Sequence, residues 1–167
     1  MFWSVAAIAL TGPWMLKGCD VVSAGGVVME DCTVSSVYDG DTLRAECGGE
    51  KLKVRLHCID TPEMGQKPWG RESRDYLRSL LPRGSQIQLV VHTRDKYGRQ
   101  VAEVIRGSKN LNRLMVQGGQ AVVYPKYCPS SFTEYYRAED QARQGGNGMW
   151  SKSGLQQMPW EWRHRNR

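Results

Sequence analysis

A chain of 167 residues with 40% hydrophobic side chains holds enough material for one packed core and too little for two comfortable domains. Its 23 lysines and arginines against 17 aspartates and glutamates leave a net charge of +6, which suits a polyanionic partner such as nucleic acid. The apolar run from Phe2 to Leu10 is too short to cross a bilayer as a helix, and the cysteines at 19, 32, 47, 58 and 128 include no Cys-x-x-Cys pair, which argues against a structural zinc site.

Residues 1–29 read as a leader, although the first cation, Lys17, comes late for an export signal. Cleavage after Ala24 or lipid attachment at Cys19 would each give an exported or envelope-attached protein, the alternative being a cytoplasmic one. The central part of the chain, 30–150, opens with strands at 33–38 and 41–47 flanking Asp39-Gly40. That dipeptide by itself makes a hairpin turn, and the stretch alone leaves open whether Asp39 and Asp41 also hold a cation. A third strand, 51–60, alternates Leu52, Val54, Leu56 and Cys58 on one face with Lys51, Lys53, Arg55 and His57 on the other. Thr61-Pro62-Glu63 stops it, because proline has no N–H and biases its predecessor toward extended backbone.

A helix is expected within 70–84, ended by Pro82 and Gly84, then strands at 87–93 and 100–106 joined by the turn Arg94 to Arg99. Helices at 109–119 and 132–146 follow. The tail, 151–167, places Arg163, Arg165 and Arg167 behind Trp160 and Trp162, which suits either phosphate attraction with base stacking or a frayed terminus. Five short strands and three α-helices predict an α+β fold, a five-stranded OB-fold barrel capped by helices. If Cys19 leaves with the leader, four cysteines allow three disulfide pairings, with Cys47 and Cys58 as buried free thiols the alternative.

Asp39, Asp41, Arg55, Asp60, Glu63 and Arg99 all fall at strand ends and turns, where a barrel gathers its loops. Carboxylates with a backbone carbonyl can cage a hard cation such as Ca²⁺, the fork of an arginine matches a phosphodiester, and Glu63 is left to activate water. The segments VYDGDTL (37–43), VRLHCIDTPE (54–63) and DKYGR (95–99), followed by NLNRLMVQGGQAVVY and AEDQARQGGNGMW, resemble the thermonuclease family, the staphylococcal-nuclease-type (SNase-like) domain, across 30–150. The ending PWEWR is similar to bacterial members.

The resemblance implies that Asp41 and Asp60 bind Ca²⁺ by carboxylate and Thr61 by its main-chain carbonyl, with Asp39 just outside, ordering a water on the ion. It makes Glu63 the general base, Arg55 and Arg99 the grip on the scissile phosphate, and Lys96 and Tyr97 the contact to a terminal phosphate. Tyr127 and Tyr124 stand where a tyrosine lies beside the base, with Pro125 and Lys126 departing from the family wording. The implied activity is a Ca²⁺-dependent endonuclease or phosphodiesterase on DNA and RNA, single strands preferred, leaving 3′-phosphate ends. It would act as a monomer with no protein partner, touching a membrane only through a leader or lipid anchor. The other reading is a nucleic-acid-binding module with a weak site, and the presence of all five of Asp41, Arg55, Asp60, Glu63 and Arg99 favours catalysis.

Overall fold

The computed structural model describes residues 28–152, 154, 155 and 157–166. In chain order the elements are β1 (Val28–Val37), β2 (Thr42–Cys47), β3 (Glu50–Leu56), β4 (Ile59–Asp60), α1 (Trp69–Leu80), β5 (Gln86–Arg94), β6 (Gln100–Arg106), β7 (Lys109–Asn110), α2 (Leu111–Gln117), β8 (Val122–Val123), α3 (Thr133–Gly145), a 3₁₀ turn (Gly148–Trp150) and α4 (Pro159–Arg165). Apart from Val28 and Met29, which begin β1, the leader lies outside the described residues, as do Cys19 and Ala24.

Five long strands make the barrel. They run in the order β3-β2-β1-β5-β6, and a parallel pairing of β3 with β6, Val54 opposite Gln100 and Leu56 opposite Ala102, closes the sheet on itself. Closure removes the open edge that a five-stranded sheet would otherwise present. The strands obey their period of two: on β2, Leu43, Ala45 and Cys47 are buried while Arg44 and Glu46 are exposed. Val34, Leu89 and Val104 join them inside, and α1 adds Leu77, α2 Met115 and Val116, and α3 Tyr135 and Ala138 to one continuous core. At 25 cal/mol per Å², each such buried leucine contributes on the order of 2 kcal/mol.

The third strand ends at Leu56, earlier than the alternation predicts. The backbone turns at His57 and Cys58, the latter at φ 67°, and resumes as β4, which pairs with β8 in a separate two-stranded sheet. His57 therefore does not share the outer face with Arg55; it is buried, its ring stacked on His92 at 4.0 Å between centroids. The cysteines pair as Cys32–Cys47, directly opposite one another on β1 and β2, and Cys58–Cys128, which ties the turn before β4 to the segment after β8. Cys47 and Cys58 are thus not free thiols. A fourth helix, α4, forms in the tail, where frayed chain was one expectation: Pro159 opens it and Glu161 accepts from the Met158 N–H at 3.2 Å.

Candidate active site

The turn between β1 and β2 spans residues 38–41, with the Tyr38 N–H donating to the Thr42 carbonyl at 2.9 Å. Gly40 does not have the left-handed φ that an Asp-Gly hairpin turn uses. What it supplies is clearance: a Cβ there would sit 2.0 Å from Ser73 Oγ on α1 and 2.9 Å from Thr61 Cβ. The loop thus lies flat against α1 and Thr61, and Asp41 is carried to the barrel's end.

Asp41 is the hub. Its Oδ2 accepts from the Thr61 N–H at 3.1 Å and the Thr61 hydroxyl at 2.8 Å, and its Oδ1 accepts from the Thr42 hydroxyl at 3.1 Å. The Asp41 N–H donates to Asp39 Oδ1 at 3.0 Å, so Asp39 stands one step behind it. Arg55, reaching outward from β3, bridges the acids, with Nη1 2.8 Å from Asp41 Oδ2 and Nη2 3.1 Å from Asp60 Oδ1. Asp60 on β4 is fully buried. Burial pushes its carboxyl up to about 6, against the lowering by the Arg163 hydrogen bonds and the Arg55 charge; burial and then the Asp41 charge push Asp39 up to about 6 as well.

Two buried carboxylates and a threonine, with no imidazole or thiolate among them, form an oxygen-only donor set that suits a hard divalent cation. Positive charge is already drawn to this place, since two guanidinium groups converge on Asp60. The residues present fit a hard divalent cation, the class of ion that the resemblance implies.

Glu63 lies in the loop beyond Pro62, its N–H held by Gln66 Oε1 at 2.8 Å. Its carboxylate meets a residue that sequence reasoning did not place in the site. Arg163 of α4 donates from Nη1 to Glu63 Oε1 at 2.7 Å and to Asp60 Oδ1 at 3.0 Å, and from Nη2 to Asp60 Oδ2 at 2.8 Å. Burial works against the charge of Arg163, but Asp60 and Glu63 outweigh it and hold the guanidinium more firmly protonated than usual. Three residues before it, hence on the same side of the helix, Trp160 stacks on Tyr124, with centroids 5.1 Å apart and planes 4° from parallel. That i, i+3 spacing of Trp160 and Arg163 was the one signal in the sequence that could have pointed to them.

The β5–β6 turn is not drawn into the cluster. Arg99 begins beside β3 but turns back on Asp95, Nε to Oδ2 at 2.7 Å, and no contact with Asp41, Asp60 or Glu63 appears among the described residues. Burial would raise the Asp95 carboxyl, yet the hydrogen bonds from Arg99 and the Tyr97 N–H bring it below its usual range. Tyr97 is exposed, with the Lys96 ammonium 5.2 Å and the Arg99 guanidinium 5.5 Å from its ring centroid. Tyr124 and Tyr127 meet edge to face at 5.0 Å, and the Tyr124 N–H donates to the Cys58 carbonyl at 2.8 Å, which sets the pair close to β4 and Asp60.

Comparison with known proteins bears on the family. The pattern of the family described as Staphylococcal nuclease homologue matches residues 53–152, taking in Arg55, Asp60, Thr61, Glu63 and Arg99, while Asp39 and Asp41 precede the matched span. A protein of Escherichia coli O157:H7 named an uncharacterized endonuclease is 35% identical over 133 residues, covering 79% of this chain and 84% of its own. A micrococcal nuclease of Shigella flexneri is 33% identical over 139 residues, covering 78% of each. The staphylococcal-like nuclease CAN1 of Arabidopsis thaliana is 34% identical over 118 residues, 71% of this chain and 35% of the plant protein. Since the family pattern spans more than half of the sequence and these two bacterial relatives align over about four-fifths of their lengths, the chain belongs to the Staphylococcal nuclease homologue family.

Proposed function

We propose that the protein is a Ca²⁺-dependent endonuclease that hydrolyses DNA and RNA with little sequence specificity, prefers single strands and leaves 3′-phosphate ends. Nuclease activity of this family's type is the coarser statement, and its relatives carry it in their names. The observation that supports the finer reading best is the Arg55 bridge, which holds Asp41 and Asp60 together at one rim with Glu63 beside them.

Asp41, Asp60 and Thr61 would hold the cation, which when bound supplies Lewis-acid polarisation of a phosphoryl oxygen. Arg55, near the end of β3, holds its two Nη groups on Asp41 and Asp60 and would turn them to the phosphate once a cation takes those carboxylates. Glu63 accepts the proton of the water that attacks phosphorus, the bond from phosphorus to the 5′ oxygen breaks, and the departing 5′ oxygen takes a proton from solvent. Arg99 reaches the same phosphate by leaving Asp95, a partly exposed ion pair worth at most about 1 kcal/mol. Tyr124 and Tyr127 offer faces on which unstacked bases can lie, which supports the preference for single strands. Lys96 and Tyr97 meet a terminal phosphate at the exposed turn.

Single-stranded DNA incubated with Ca²⁺ is expected to be cut, and the same mixture with chelator to stay intact. Glu63→Gln and Arg55→Ala should each lose about 10²- to 10³-fold in kcat, and mass spectrometry of the fragments should find phosphate on the 3′ ends. Equal cleavage by all three proteins, or none by the wild type with Ca²⁺, ends this reading. We further infer export, as a monomer, supported by two disulfides of a kind that persists in oxidising compartments. Recovery of the protein from the cytosolic fraction with Met1 intact contradicts export.

A further inference from the structure

We infer that the C-terminal helix is a built-in competitor for the cleft: Arg163 takes the place of the cation on Asp60 and Glu63, and Trp160 takes the place of a nucleobase on Tyr124. The inference rests on the nuclease reading and adds regulation to that same site.

Asp60 is engaged on both of its oxygens while the helix is seated. Its Oδ1 accepts from Arg55 and Arg163 and its Oδ2 from Arg163, and the side chain sees no solvent. A divalent cation needs those same oxygens at about 2.3–2.6 Å, so cation and Arg163 cannot share them. Glu63 Oε1 is engaged as well, on the residue that must take a proton from water. On the base side, an indole lying parallel on Tyr124 occupies a face that a stacked base would use. One short helix therefore covers the acids and the aromatic platform together.

The seat is shaped for the helix yet lightly held. Gly65 leaves room for Trp162, whose ring would be 2.8 Å from a Cβ at that position, and Gln66 Nε2 donates to the Gln157 carbonyl at 3.0 Å. Against this, Pro159 is the one buried residue of α4, and the Arg163 and Glu63 side chains keep 30% and 35% of their exposure. Segments with few buried residues and solvent-facing contacts open at low cost. Cation and nucleic acid, binding only where the helix has lifted, shift that equilibrium toward the open cleft.

The test uses the full chain. If the helix is seated about nine-tenths of the time, it weakens apparent Ca²⁺ affinity about tenfold, so calorimetric titration should find Arg163→Ala binding Ca²⁺ about tenfold tighter than wild type. Hydrogen exchange of the wild-type α4 amides should speed up when Ca²⁺ and a phosphorothioate oligodeoxythymidylate are added. Trp160→Ala, which leaves the acids untouched, should bind that oligonucleotide more tightly. Unchanged or weaker Ca²⁺ binding by Arg163→Ala, unchanged α4 exchange at saturation, or weaker oligonucleotide binding by Trp160→Ala overturns the inference, and the nuclease reading survives it provided DNA is still cut. If no form binds Ca²⁺ or cuts DNA, both fall.

Discussion

Gly40 is packed so closely that its missing side chain decides how the acidic loop lies. Gly40→Ala drives a methyl group into Ser73 and Thr61, and a backbone shift to relieve it should cost about 1–3 kcal/mol by urea denaturation. Ser73→Ala in the same chain removes the nearest atom and should recover part of that loss; full additivity of the two changes would show that this contact is not the cause. His57 gives a pH dependence. Its burial, then the neighbouring His92 charge, lower it from 6.5 to about 4, while Glu103 pulls the other way. The unfolded chain thus binds a proton between pH 6.5 and 4 that the folded one refuses, so stability is full above pH 6.5 and falls as pH drops, by about 3 kcal/mol at pH 4. His57→Gln should flatten that part of the stability curve; a curve unchanged in slope would assign the loss to other groups. That Asp41, Arg55, Asp60 and Glu63 would lie together was legible because each sits in a short motif at or just beyond a strand end. The reason for Gly40 was not legible, since it depends on a helix more than thirty residues away in sequence.

Among the elements, β3 was read correctly where it faces outward and incorrectly where it stops. Alternation continues through His57 and Cys58, so periodicity cannot detect the turn there; the partner strand β6 and the link to Cys128 settle it. On the outward face Lys51, Lys53 and Arg55 follow at intervals of about 6.6 Å, and Arg44 on β2 stands directly opposite Lys53. Like charges so placed repel, and neither Arg44 nor Lys53 has an ion-pair partner among the described residues. Lys53→Ala should weaken binding of long oligonucleotides uniformly across sequences and lower the slope of log K against log salt by about 1. An unaltered slope would mean that phosphates do not travel along this strand. The tail was the element least open to reading. Its charge and tryptophans were plain, but their seat is built from Asp60, Glu63 and Tyr124, which no local pattern connects to Arg163 or Trp160.

For the molecule as a whole, barrel and helices followed from the spacing of apolar residues, whereas the cysteine pairing depended on which strands became neighbours. Cys58–Cys128 spans 70 residues and should contribute about 4 kcal/mol by restricting the unfolded chain. Reductant should lower the thermal midpoint far more than it does in a chain with Cys58 and Cys128 both changed to Ala; equal shifts would put the stabilisation in Cys32–Cys47 instead. The division into two sheets reaches further than stability. Asp41 belongs to the barrel, Asp60 to the small β4–β8 sheet, and Arg55 spans the seam between them. The gap between the two carboxylates is consequently a gauge of how one sheet rests on the other, and under the proposed function preference for a larger or smaller cation would be a property of interior packing, adjustable without touching a single proposed ligand.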